Sequence, residues 1–146
     1  MSWRGALIGL LALALRGAAP AWDASPAWDL RATLAADGRS LAVEGRFAPG
    51  DADTFLVEAE AAPFVSGVEV DREGRWEPVA PQDGQWRVSG AEARGARLRW
   101  RFDLAAASAV RGSGVRRFGD GYLARPRTFV LRPEEFIAGR AARLAV

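Results

Sequence analysis

The stretch Arg97-Leu98-Arg99-Trp100-Arg101-Phe102-Asp103-Leu104 alternates strictly with period two, with Leu98, Trp100, Phe102 and Leu104 on one side and Arg97, Arg99 and Arg101 on the other. A helix would scatter both sets around its axis. A strand with one buried face separates them cleanly, so this segment commits the chain to antiparallel sheet. Trp28, Leu30, Ala32 and Leu34 alternate in the same way, Ala36-Asp37-Gly38-Arg39 signals a turn, and Leu41, Val43, Gly45 and Phe47 resume the alternation. That is a hairpin with one apolar face. Thr54 to Glu58 and Phe64 to Asp71 read as further strands, although Val65 is out of step with Val68 and Val70. Two Gly-x-Trp triplets, Gly74-Arg75-Trp76 and Gly84-Gln85-Trp86, lie on either side of Pro81-Gln82-Asp83, and Asp83-Gly84 is a turn signal. A single hairpin is predicted to bring Trp76 and Trp86 near each other. Tyr122-Leu123-Ala124 and Thr128-Phe129-Val130-Leu131 read as strands interrupted at Pro126, and Pro133-Glu134-Glu135 as one helical turn. The expectation is an all-β fold, an antiparallel β-sandwich or meander of about seven to nine short strands.

The first residues have a different character. Arg4 supplies positive charge, Ala6 to Leu15 is an unbroken run of ten apolar residues, and Ala19-Pro20-Ala21 fits a small-x-small cleavage rule. A membrane span needs about 20 such residues. A secretory signal peptide helix needs fewer, so residues 1–21 are expected to be a removable leader. Residues 22–146 then form one β-sandwich-like domain beginning at Trp22, exported to a periplasmic or extracellular location and without a stable membrane span once the leader is cut.

Export without Cys leaves stability to the core, with no disulfide staples. The absence of Cys, His and Lys also narrows the chemistry. Ser-His-Asp and Cys-His centres, a Schiff-base lysine and a Walker lysine are excluded, and zinc loses its two favoured ligand types. No catalytic, cofactor-binding or metal-binding residue is therefore assigned, and no cofactor is expected. Two acids could in principle converge for glycoside hydrolysis, but no pair stands out.

Charge excludes a further class. The net charge of +2 falls to zero once Arg4 and Arg16 are assigned to the leader. Nucleic-acid binding rests on surplus positive charge, so no nucleic-acid partner is expected. The charge is unevenly distributed: Trp22 to Trp86 holds 5 Arg and 13 acids, and Arg87 to Val146 holds 13 Arg and 5 acids. Such halves satisfy each other across neighbouring strands, or else form a dipolar surface for a partner.

Three groups of residues are candidates for partner or ligand contact. The Arg97, Arg99 and Arg101 ladder could grip a phosphate, a sulfate or a carboxylated glycan. Its ordinary alternative is a solvated strand face paired with Glu69, Asp71 or Glu73. The Gly-rich stretch Gly112 to Gly121 lacks the residues of a phosphate loop. It is expected to be an exposed loop that presents Arg116, Arg117 and Phe118. Of the five Trp residues from Trp22 onward, at least Trp28, Trp86 and Trp100 fall in register with core positions, and Trp76, between Arg75 and Glu77, is the candidate for exposure.

From about Trp28 to Pro133 the order of these features resembles the N-terminal β domain of the glycyl-aminopeptidase-like zinc metallopeptidases, gluzincins that often carry a PDZ domain. The resemblance rests on the early hairpin, on Gly-Arg-Trp-Glu-Pro-Val and Gly-Gln-Trp-Arg-Val between Gly74 and Val88, on the Arg-rich strand ending Phe102-Asp103-Leu104, and on Gly121-Tyr122 leading to Thr128-Phe129-Val130-Leu131. Of the family's Trp-x-Pro-Gly-x-Tyr segment, Ala61 to Ser66 keeps only the Pro. The resemblance implies a non-catalytic β module that docks or orients substrate beside a catalytic domain bearing His-Glu-x-x-His, a motif this His-free chain lacks. The partner expected is that catalytic domain or another protein. The alternative is a free-standing extracellular β-sandwich that binds a glycan or other ligand through exposed aromatics.

Overall fold

The alternating segment forms the middle of the largest sheet. The computed structural model describes residues 27–135 and 141–146, so the expected leader and Trp22 lie outside the described residues. In chain order the elements are β1 (Trp28–Leu34), β2 (Ser40–Phe47), β3 (Thr54–Leu56), β4 (Val65–Arg72), β5 (Arg75–Pro78), β6 (Pro81–Gln82) and β7 (Gln85–Arg87). There follow α1 (Ala91–Arg94), β8 (Ala96–Asp103), α2 (Leu104–Ser108), β9 (Val115–Phe118), β10 (Gly121–Ala124), α3 (Pro126–Phe129), β11 (Arg132–Pro133) and β12 (Ala142–Ala145). The fold is all-β, as the alternation predicts, with the short helices serving as connections.

The larger sheet runs β12-β1-β2-β8-β4-β5 and the smaller β11-β3-β7-β6, while β9 and β10 pair only with each other. One face of β8 buries Leu98, Trp100 and Phe102, and β1 and β2 add Leu30, Ala32, Leu41, Val43 and Phe47 to the same core. The smaller sheet supplies Phe55 and Trp86 to that core, and the Phe55 ring meets Phe47 edge to face at 4.9 Å between centroids. Trp100, fully buried, donates its indole N–H to the Phe129 carbonyl at 2.8 Å, which ties β8 to α3. At the end of β8 the Asp103 carboxylate accepts from the Ala106 N–H at 2.8 Å. This N-cap starts α2 at the alanine run and ends the strand.

Val65, Val68 and Val70 are all buried because the β4–β8 register shifts between Ser66 and Glu69. A bulge adds one residue to the strand, so positions three apart share a face. Gly67, at φ +57°, supplies the left-handed conformation there.

Several local expectations are corrected. Trp76 and Trp86 do not share a ladder: Trp76 stands opposite Asp71 on β4, and Trp86 lies between Phe55 and Pro81 in the other sheet. Two tight turns, not one, explain this. Glu73-Gly74 and Asp83-Gly84 both have positive φ at each residue, the signature of two-residue hairpins, so each Gly-x-Trp closes its own. Thr128 and Phe129 are helical where a strand was expected, because Pro126 sits in the first helical turn with its φ preset and Val130 N–H bonds back to its carbonyl. Pro133-Glu134-Glu135 opens no helix. Pro133 pairs with Phe55, and Glu134 N–H donates to the Thr54 carbonyl at 2.8 Å. The strands number twelve among the described residues, two of them only two residues long. The sheet is not a simple meander either, since β8 inserts between β2 and β4, and β12 adds to β1 in parallel.

Candidate functional site

Gly112 to Gly121 was expected to be a loop, and it contains a built strand. Arg116, Arg117 and Phe118 lie on β9, which pairs antiparallel with β10. The base of this hairpin is anchored. Buried Ser113 donates its hydroxyl to the Ala107 carbonyl at 2.6 Å, and Val115 is buried beside α2. Gly114, at φ +79°, passes so close beneath Thr128 that a Cβ there would lie 2.5 Å from Oγ1. Thr128 in turn donates to Glu58, whose carboxylate also pairs with Arg127 at 2.7 Å.

Cross-strand register separates the two faces of the hairpin. Val115, Arg117, Tyr122 and Ala124 share the face turned to the core, and Val115, Tyr122 and Ala124 pack there. Arg116, opposite Leu123, and Phe118, opposite Gly121, share the outward face. Phe118 is 82% exposed and Leu123 68%. Folding a ring of that size into solvent gains nothing from burial, so the anchored base holds an apolar pair in water with an arginine beside it.

The ladder arginines point to solvent from β8, as predicted, and their partners are the neighbouring strands. Arg97 stands directly opposite Arg46, a like charge. Its guanidinium instead reaches diagonally to Glu44 on β2, with Nε donating at 2.8 Å, and to Asp71 on β4 at 3.1 Å. The Glu44 hydrogen bond, first, and the two carboxylate charges hold Arg97 above the usual arginine range. Arg99 pairs with Glu69, and that hydrogen bond holds the Glu69 carboxyl below its ordinary value. Glu73, the third expected partner, does not take part: it forms the turn after β4. Arg101 stands opposite Ala42 and carries no ion pair among the described residues.

Trp76 is half-buried rather than exposed. The Arg99 guanidinium lies 4.4 Å from its ring centroid and that of Arg97 5.1 Å, so cations occupy the ring. Trp86 and Trp100 are buried, and Trp28 is half-buried with its indole N–H donating to Asp51 at 2.9 Å. Arg97, Arg99 and Trp76 thus converge in one cluster, while Arg116, Arg117 and Phe118 lie apart from it on the hairpin.

Sequence reasoning missed Leu123, which reads as an ordinary strand residue until its register with Arg116 is known, and Arg31, which faces the same solvent side of the sheet as the ladder. Among the described residues no three His, Cys, Asp or Glu side chains come together in a way that could hold a metal ion. Several of the described carboxylates have partners: Asp53 accepts from Gly90 and Glu92 N–H, Asp29 pairs with Arg143, and Glu44, Glu69 and Asp71 with the ladder. No described helix is long and apolar enough to cross a membrane. Comparison with protein families, curated proteins and solved structures finds no match to this chain.

Proposed function

We propose that this chain is an exported, non-catalytic β module that docks a protein partner through the β9–β10 hairpin. The observation that carries the reading is the outward pair Phe118 and Leu123, held in solvent on a base fixed by Ser113 and Val115. A partner that buried them fully would gain about 1.5–3 kcal/mol from each. Arg116 supplies a charged contact beside them, where such groups set orientation more than affinity, while Arg117 lies on the opposite face of β9. The resemblance to the N-terminal domain of glycyl-aminopeptidase-like metallopeptidases names the partner: a zinc catalytic domain whose substrate this module would help orient. The glycan-platform reading loses support, because among the described residues Trp86 and Trp100 are buried and the Trp76 ring is covered by guanidinium groups.

A photo-crosslinking residue at position 118, introduced in the native host, tests this. The expected result is an adduct with a protein carrying His-Glu-x-x-His, lost when Leu123→Ser and Arg116→Ser are added. The absence of such an adduct, or its persistence in the variants, overturns the reading. In the same preparation, mass spectrometry of the exported form should find Trp22 as the first residue.

A further inference from the structure

The solvent face of the larger sheet is a grid of alternating charge. One row reads Arg31, Glu44, Arg99, Glu69 across β1, β2, β8 and β4, and the next reads Thr33, Ala42, Arg101, Ser66. Of the acids of these strands that face this side, Glu44 and Asp71 pair with Arg97, Glu69 with Arg99 and Asp29 with Arg143 at 2.7 Å, while Asp103 accepts from Ala106 N–H as the cap of α2. Arg31 and Arg101 are left without an ion pair among the described residues, Arg101 directly opposite Ala42 and Arg31 opposite Glu44 in the next row. Because Ala42 carries only a methyl group and Gly67 none, the surface sinks there into an open hollow of about 450 Å³. Its walls include Arg31, Thr33, Glu44, Glu69 and Arg101.

We infer that this hollow binds a carboxylated sugar chain, with its carboxylate groups on Arg31 and Arg101. The lining fits that chemistry in two ways. Beyond the Arg143 hydrogen bond, the Arg31 charge helps to hold the Asp29 carboxyl below its ordinary value. Neither Arg31 nor Arg101 is held in an ion pair among the described residues, so both guanidinium groups can offer bidentate recognition of carboxylate. Glu44 and Glu69, each using one face on an arginine, keep lone pairs that accept from hydroxyl groups, and Thr33 adds a hydroxyl of its own. A dense polyphosphate has no hydroxyl groups to donate to these acids, and a neutral sugar would leave the two arginines unused. A sugar acid supplies both the anion and the donors. The inference goes beyond docking through the hairpin and uses none of its residues.

Isothermal titration of the full chain with tetragalacturonate at low ionic strength tests it. One-site binding is expected, weakened about tenfold or more by either Arg31→Ser or Arg101→Ser, the loss expected for a charged hydrogen bond. Ala42→Glu should weaken it as strongly while leaving the melting temperature unchanged, because that exposed position can hold a carboxylate against Arg101. Phe118→Ser should leave it untouched, which separates this site from the hairpin. The inference is overturned if the parent chain shows no binding, if the Ala42→Glu chain binds as the parent does, or if neutral galactotetraose, inorganic phosphate or an oligothymidylate binds as tightly.

Discussion

The Trp100 indole N–H donates to the Phe129 carbonyl at 2.8 Å, and both groups lie in the sealed interior between β8 and α3. Phe129 also packs against Phe102, two residues along β8, with ring centroids 6.3 Å apart. The central strand and the segment that follows the hairpin are therefore held by one polar and one apolar contact. Trp100→Phe removes the donor and leaves the carbonyl buried and unpaired, a loss of at least about 1–3 kcal/mol. Urea denaturation followed by circular dichroism should show a lower midpoint with an unchanged slope.

Gly114→Ala should destabilise the protein by a comparable amount, about 1–3 kcal/mol. The residue sits at φ +79°, and its new methyl group would press on the Thr128 hydroxyl that bonds Glu58. Gly112→Ala is the control: its φ is also positive, but nothing lies within 4 Å of a Cβ there. The difference between the two midpoints isolates the crowding from the backbone strain.

Acid should unfold the protein through a small set of carboxylates. Hydrogen bonds from Arg143 to Asp29, from Glu92 N–H to Asp53 and from Arg99 to Glu69 hold all three below their ordinary values of 3.8 for Asp and 4.5 for Glu. The unfolded chain therefore binds more protons than the folded one once the pH nears those values. Stability should stay level from neutrality down to about pH 5, then fall as the pH drops through the depressed folded values. Asp53→Asn keeps the shape of the site and removes one titrating group, so its denaturation midpoint should depend less steeply on pH in the acid range.

Phe118→Ser should cost the fold less than about 0.5 kcal/mol, the usual limit for an exposed substitution. Phe129→Ser, at a buried site, should cost several times more. A melting curve of Phe118→Ser shifted as far as that of Phe129→Ser would mean that the hairpin tip packs in solution.

Much of the larger sheet was legible because its strands bury one face, and alternation records that directly. Arg97 to Leu104, the β1–β2 hairpin and even the offset of Val65 from Val68 each had a local cause visible in residue order. Legibility failed where a distant partner decided the outcome. Pro133 extends because Phe55 is beside it, and Trp86 stands apart from Trp76 because β3 and β6 flank it in the other sheet. The Gly-x-Trp pair misled because the Glu73-Gly74 turn carries a weaker signal than Asp83-Gly84, yet both close hairpins. Of the candidate residues, the exposure of Phe118 followed from its glycine-rich surroundings. The covering of Trp76 did not, since it depends on a strand more than twenty residues later.

The position of β8 between β2 and β4 has a kinetic consequence. Until residues 96–103 arrive, the hairpins β1–β2 and β4–β5 share no ladder, and each presents an unsatisfied edge. Joining them requires closing long loops in both directions at once, a search that slows folding in sheets built from distant pairings. A ribosome-bound intermediate that stops short of this strand would thus be a pair of sticky half-sheets, and nucleation should wait for the arginine-and-tryptophan segment that zips them together.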